Sequence, residues 1–341
     1  MQILQSNSPL ETATVITIGK FEALHPGHMR LIEATIEYAK LFNNAAEVLS
    51  IKLDSSTGKL DSSTGKLGSS TGPASSAPAS AVLSFTPHPA QVLSDPKYTP
   101  LFSSREQAFL LNQHPIDYWI PYPFSQQTAN LTPKAFCQLL QTQFNCKALL
   151  IGESFRFGHN RTGTPETLHT LGKELGITVI TIPHSQSEDE QKISTSQIRT
   201  YLQEGRIPEA NKLLGRPFSI MGTVQKGRQL GRTIGFPTAN IHPDDDKFLP
   251  PDGVYAAKIT VNGQKKSGIT NIGTNPTIVS GQTRKVETHI FDFDADIYGE
   301  EIIVELYDFI RPERTFSGIE ELGQQITADA REARKVLAAV K

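Results

Sequence analysis

The chain has 341 residues, of which 38% are hydrophobic and 20% charged, with a formal net charge of −2. That length exceeds one ordinary hydrophobic core and predicts two domains, while the near-neutral charge excludes nucleic-acid binding through a bulk positive surface. No apolar run approaches the ~20 residues that span a bilayer, and Met1 to Thr14 carry neither a basic nor an apolar signal region. A soluble, cytoplasmic protein is expected, with no membrane or nucleic-acid partner, as a monomer or weak homo-oligomer. The two cysteines, Cys137 and Cys146, lack metal-ligand spacing and predict free thiols, packed or at the surface, in a reducing compartment.

Residues 15–18 (Val-Ile-Thr-Ile) form a short apolar, β-branched run closed by Gly19, the pattern of a buried parallel strand. Leu31, Tyr38 and Leu41 then recur at helical spacing. The order repeats at 148–151, and 177–180 reads as another strand. Strands alternating with helices imply a parallel sheet with ligands near the strands' carboxyl ends. Within this domain the seven residues Lys52-Leu53-Asp54-Ser55-Ser56-Thr57-Gly58 repeat from Lys59 and nearly again from Lys66. The Ser-Ser-Thr-Gly blocks oppose helix, and so polar a stretch does not offset its chain entropy. Residues 54–80 therefore read as a disordered insertion, with a lid as the alternative.

Residues 194–214 read as helical, with Ser194 and Gln197 at capping-box spacing. From Gly215 the texture becomes short alternating strands separated by Gly, Asn, Asp and Pro, which predicts a small antiparallel β-barrel. Residues 319–340 then predict a terminal helix packed on it. The expected organisation is a domain over 1–190, a helical connector over 191–214 and a barrel domain over 215–341.

Three N-terminal segments carry candidate chemistry. His25-Pro26-Gly27-His28 opens the first helix: Pro26 suits the first turn, Gly27 admits close approach of a ligand, and two imidazoles at a helix N-terminus suit an anion. Surface histidines or half of a metal site are the alternatives. The loop 152–163 holds Phe155, Arg156, Phe157 and Arg161, a set able to stack a planar ring and hold phosphate, or a basic solvated loop. Ser194, Thr195, Ser196 and Arg199 gather hydroxyls and a guanidinium at another helix start, where capping alone explains only Ser194.

In the barrel, Gly235-Phe236-Pro237-Thr238-Ala239-Asn240 joins turn formers to two short oxygen-bearing side chains that suit a hard cation such as Mg²⁺ on a nucleotide phosphate. Glu287 lies in the strand-like run 286–291, on one face with Phe291 and Phe293 by alternation. A carboxylate on an aromatic face is costly without a partner or a task. The two motifs together point to phosphoryl transfer with Glu287 as base.

These motifs, with Thr86-Pro87-His88-Pro89, stand in the order found in bifunctional riboflavin kinase/FMN adenylyltransferases of the prokaryotic FAD synthetase type, which the chain resembles over nearly its whole length. The resemblance implies a Rossmann-like nucleotidyltransferase domain followed by a riboflavin kinase barrel, with ATP, riboflavin and FMN as substrates and Mg²⁺ accompanying ATP. FMN and FAD would be substrate and product rather than prosthetic groups. It assigns Glu287 as the kinase base, Thr238 and Asn240 to Mg²⁺, and Gly222, Gly227, Gly231, Arg232, Gly235 and Pro237 to the nucleotide. In the first domain it assigns His25, His28 and Arg199 to catalysis, and Gly19, Phe21, Gly27, His88, Phe155, Arg161, Ser194, Thr195 and Ser196 to nucleotide binding.

The chain departs from the family at Gly19-Lys20-Phe21-Glu22-Ala23, where Gly-Asn-Phe-Asp-Gly is usual, and at Ser154 and Gln197. Two other readings follow: a riboflavin kinase with a degenerate N-terminal domain, or a non-catalytic flavin-binding module. Glu287 and Thr238 argue against the second, since binding alone needs neither base nor cation loop.

Overall fold

The computed structural model describes residues 1–4, 9–42, 52–53, 60–61, 77–183, 193–227, 231, 235–274 and 284–340. The chain divides into two compact units: Met1–Tyr98 with Gln107–Ile193, and Thr99–Glu106 with Ser194–Lys341.

The first unit begins with β1 (Gln2–Ile3), β2 (Thr14–Ile18) and α1 (Pro26–Leu41), then a two-stranded pair, β3 (Lys52–Leu53) and β4 (Leu60–Asp61). It continues through β5 (Ala79–Thr86), α2 (Pro89–Leu93), the part from Gln107 onward of α3 (Ser104–Leu111), β6 (Tyr118–Pro123), α4 (Gln126–Ala129), α5 (Pro133–Phe144), β7 (Cys146–Gly152), α6 (Pro165–Leu175) and β8 (Thr178–Ile182). Of residues 54–80, read from sequence as a disordered insertion, Leu60–Asp61 pair with Lys52–Leu53, and Ala79 and Ser80 begin β5. Residues 54–59 and 62–76 lie outside the described residues.

Local punctuation explains the long helices. α5 and α6 each start on a Thr-Pro pair, with Thr132 accepting from Ala135 N–H and Thr164 from Thr167 N–H. They stop at Asn145 (φ 45°) and Gly176 (φ 68°), left-handed positions that Asn and Gly tolerate. The sheet is parallel throughout, in the order β1-β6-β5-β2-β7-β8. Its inner strand β2 is wholly buried, as its unbroken apolar and threonine run demands.

The second unit holds α7 (Thr195–Gln203) and α8 (Ile207–Leu214), followed by β9 (Phe218–Gln225), β10 (Ala239–His242), β11 (Gly253–Val261), β12 (Gln264–Thr274), β13 (Arg284–Ile290), β14 (Glu301–Pro312) and α9 (Ile319–Ala339). The single helical stretch expected over 194–214 is two helices, broken where Gly205 turns to φ 72°. The six strands close into an antiparallel barrel, β10-β13-β12-β11-β14-β9. α9 packs Ala333 and Leu337 on Val254, Ala256, Ile269 and Phe291 of the barrel's outer surface. Arg311 fixes it there by bonding both oxygens of buried Asp329.

One buried ion pair ties Thr99–Glu106 to the barrel. Lys247, fully buried at its side chain, meets Glu106 at 2.8 Å and donates to Leu101 O (2.6 Å) and Ser219 O (2.8 Å). Glu106 in turn accepts from the N–H groups of Ser103 and Met221. Burial pulls the Lys247 ammonium below its ordinary pKa, and Glu106 works against that shift. Removing one member of such a pair leaves a buried charge unmatched and typically costs ~3–5 kcal/mol. Glu106→Ala is therefore expected to lower the unfolding free energy by about that much, seen by circular dichroism as a lower urea midpoint; an unchanged midpoint would contradict this role.

Cys137 and Cys146 are both buried in the core between α5 and the sheet, so of the two placements expected the packed one holds. Burial pushes the Cys137 thiol up to about 11 and the Cys146 thiol higher. Thiolate is the reactive form, so both should resist alkylation at pH 8 until the chain is unfolded. Mass spectrometry after brief iodoacetamide treatment checks this, and rapid labelling of native protein would refute it.

Candidate active sites

β2 and β7 are neighbours in the sheet, but the chain leaves β2 toward β5 on one side and β7 toward β8 on the other. Where the winding reverses, an open parallel sheet forms a crevice outside its carboxyl ends, the usual ligand position. Residues 19–28 follow β2 there, and the 152–163 loop follows β7.

His25 is the N-cap of α1, with Pro26 in the first turn, as expected from sequence. The His25 and His28 rings stack at 3.8 Å with 17° between planes, and Phe21 meets His28 edge-on at 5.4 Å. A Cβ on Gly27 would lie 3.2 Å from His25 Cε1, so glycine lets that ring stand close to the helix start. Gly19 N–H donates to Leu83 O at 3.2 Å, which holds the loop to β5. His88 caps α2: its Nδ1 accepts from Ala90 N–H at 3.2 Å, while its Nε2 lies 3.5 Å from Glu22.

The 152–163 loop differs from its sequence reading. Phe155 stacks on Phe157 at 5.5 Å, and Phe157 is a core residue locked by paired backbone hydrogen bonds to Gly163. These aromatics fasten the loop to the protein's own interior. Arg161, at φ 60°, is exposed beside Asn160 at φ 52°.

Ser194, Thr195, Ser196 and Arg199 belong to the second unit. Ser194 caps α7 by accepting from Gln197 N–H. The Arg199 guanidinium donates to Thr99 O at 2.8 Å and lies 5.1 Å over the Phe248 ring.

In the barrel, register composes the candidate site. Glu287 of β13 pairs with Asn240 of β10 on one side and Asn271 of β12 on the other. Directly paired side chains on one sheet face stand about 4.5–5.5 Å apart at Cβ, so the carboxylate lies between two amides. Val286, Thr288 and Ile290 point to the buried side, where the Thr288 and Thr270 hydroxyls bond at 3.0 Å. Glu287 is half-buried on the outer side with Lys285 and His289. β13 ends at Ile290, yet Phe291 keeps to Glu287's outer face as alternation predicts: it packs with Ile269 under α9 and meets the His289 ring edge-on at 5.8 Å, whereas Phe293 follows the left-handed turn at Asp292 (φ 54°) and lies outside the strand.

The 235–240 turn is pinned beside Glu287. His289 Nδ1 donates to Pro237 O at 2.9 Å, and its ring meets Phe236 edge-on at 5.3 Å. Gly235 turns at φ 80° ahead of half-buried Thr238. Two glycines bring backbone close to this turn: a Cβ at Gly231 would lie 2.2 Å from the Phe236 carbonyl oxygen, and one at Gly227 would lie 2.4 Å from the Asn240 side-chain amide. Gly222 sits inside β9 against His242 O. Arg232 lies outside the described residues.

The FAD synthetase family matches residues 72–197 and the riboflavin kinase family matches residues 214–337. The bifunctional riboflavin kinase/FMN adenylyltransferase of Escherichia coli K12 is 33% identical over 339 residues, covering 98% of this chain and 96% of that one. Its counterpart in Listeria monocytogenes is 38% identical over 264 residues, 76% of this chain and 82% of the relative. The chain belongs to the bifunctional riboflavin kinase/FMN adenylyltransferase family. It is a transferase. A solved structure titled a macrolide-efflux protein, from Streptococcus pneumoniae, shares the fold with a TM-score of 0.73 at 27% identity over 98% of both chains. Among the described residues no helix is long and apolar enough to cross a membrane.

Several residues at these two candidate sites escaped the sequence reading. Asn271 was not singled out, though an amide inside the strand run 269–272 is an unusual occupant of a strand. Its Nδ2 donates to Glu313 Oε1 at 2.9 Å. His289, two residues beyond Glu287, was passed over although alternation puts both on one face. Tyr98 had no local signal at all.

Proposed function

We propose that the barrel unit phosphorylates riboflavin with Glu287 as its base, and that the first unit adenylylates the resulting FMN through His25 and His28. The observation that carries this reading is the row Asn240–Glu287–Asn271, set by strand register beside the pinned 235–240 turn. As a family member the chain converts riboflavin and ATP to FMN, then FMN and a second ATP to FAD and pyrophosphate.

In the first step Glu287 takes the proton of riboflavin's terminal hydroxyl as that oxygen attacks the γ-phosphorus, and the bond to ADP breaks. The flanking amides orient the carboxylate, so proximity and direction do most of the work, as in phosphoryl transfer generally. Thr238 and Asn240 offer a hydroxyl and an amide oxygen, hard donors that fit Mg²⁺ on ATP. Held there, the ion would neutralise charge on the transferring phosphate. Gly227 and Gly231 keep backbone close to this row and to the turn.

In the second step an FMN phosphate oxygen attacks the α-phosphorus and pyrophosphate leaves. No base is needed, because the phosphate is already anionic near neutral pH. His25 and His28 donate to the phosphate oxygens as charge builds, and one well-aimed donor of this kind is worth ~10²–10³ in rate. The crevice at β2 and β7 supports this placement, as does the position of both rings at the start of α1.

Glu287→Gln keeps the shape of the side chain and removes the base. It is expected to lower riboflavin phosphorylation by at least ~10² while supplied FMN is still adenylylated. Wild-type riboflavin turnover in that variant would refute the base assignment. His28→Ala should show the opposite split, losing ~10²-fold or more in FAD formation with FMN formation intact. Normal FAD yield would remove His28 from the phosphate site.

A further inference from the structure

Glu22 is a buried carboxylate, 3% exposed, in the loop between β2 and α1, and neither reaction step above uses it. Both its oxygens accept from the Tyr98 hydroxyl at 2.9 Å, and one lies 3.5 Å from His88 Nε2. The His88 ring, 6% exposed, stacks on the Tyr98 ring at 4.8 Å and 18°. Since His88 Nδ1 accepts from Ala90 N–H, the ring hydrogen sits on Nε2, the nitrogen that faces Glu22. Three side chains from three segments thus close a ring of contacts.

The loop they hold is strained. Phe21 and Leu24, on either side of the Glu22–Ala23 pair, both have φ 45°, a left-handed conformation costly for residues other than glycine. Such conformations persist only where the surroundings over-determine them, and Phe21, Ala23 and Leu24 are each at most 1% exposed. The Phe21 ring bears on His28, which stacks on His25. A shift at Glu22 therefore reaches the histidine pair through one intervening ring.

We propose that Glu22, Tyr98 and His88 form a buried positioning triad that locks the His25–His28 pair for adenylyl transfer, with His88 as a brace rather than a ligand of the phosphates. Both nitrogens of His88 already face protein groups, and its ring face is covered by Tyr98. Glu22 and Tyr98 act through the loop and are positioning residues, not catalytic ones. The proposal rests on adenylyl transfer in the first unit.

Tyr98→Phe in the full-length enzyme keeps the stacked ring and removes only the hydroxyl. For FMN adenylylation kcat is expected to fall roughly tenfold or more, since small misplacements of reacting groups cost this much. The KM for ATP should stay within about twofold, because ground-state binding is untouched, and riboflavin phosphorylation should be unchanged. A raised KM with kcat retained would overturn the proposal by making His88 a ground-state ligand, and an unchanged kcat would overturn it as well. A second measurement needs neither a variant nor turnover: ¹⁵N histidine spectra of the wild-type protein, before and after FMN and an ATP analogue with a methylene between the α and β phosphates. His88 should show the Nε2–H tautomer throughout while His25 and His28 shift. Equal shifts at His88 would refute the brace. Wild-type protein unable to make FAD would refute the adenylyl-transfer reading, and the spectra would still test the triad.

Discussion

The strand register of the closed barrel is the constraint on which the kinase site depends. Closure leaves no free edge, so each strand is fixed by two neighbours. β13 is held by β10 and β12, and that double pairing sets Glu287 between Asn240 and Asn271. A slip of one residue would turn Glu287 inward, toward the layer now filled by Val286 and Thr288. A carboxylate isolated there would be held in its protonated form and could not accept a proton from substrate. On the outer side it is half-buried between amides, close to a turn with oxygen donors. Fold and chemistry are therefore one requirement at this strand.

The first unit solves a similar problem with an open sheet. The anion-binding groups proposed for it come from loops after β2 and β7, at the crevice where the winding reverses. Loops hold geometry less firmly than strands, which explains why polar contacts gather beneath this one: Glu22 under the β2 loop, Gly19 tied to Leu83, and His88 capping α2. The second unit uses buried charge differently. Lys247–Glu106 and Arg311–Asp329 each have their hydrogen-bonding groups matched, so they specify which segment docks where more than they add stability.

Local signals in the sequence were the legible ones. The run 15–18, the Ser194 cap and the alternating strands after Gly215 all act over a few residues. The His25-x-x-His28 pair and the 235–240 turn were legible for the same reason, since a helix start or tight turn shows its chemistry in one short run. Contacts across long sequence distances were not legible. Asn271 meets Glu287 only through register, Tyr98 meets Glu22 only through folding, and nothing near Lys247 announces Glu106. Phe155 and Phe157 read as a ring-binding pair because composition cannot say whether an aromatic faces a ligand or the core. Alternation kept Phe291 on Glu287's face but could not show that the left-handed turn at Asp292 (φ 54°) takes Phe293 out of the strand.

The central claim is that one chain carries both reactions in sequence, kinase first and adenylyl transfer second. Purified protein incubated with riboflavin, ATP and Mg²⁺, with flavins separated by chromatography over time, tests it most directly. FMN should rise first and then give way to FAD, with pyrophosphate appearing alongside FAD. FMN accumulating without FAD would contradict the claim for the first unit, and riboflavin left unchanged would contradict it for the barrel.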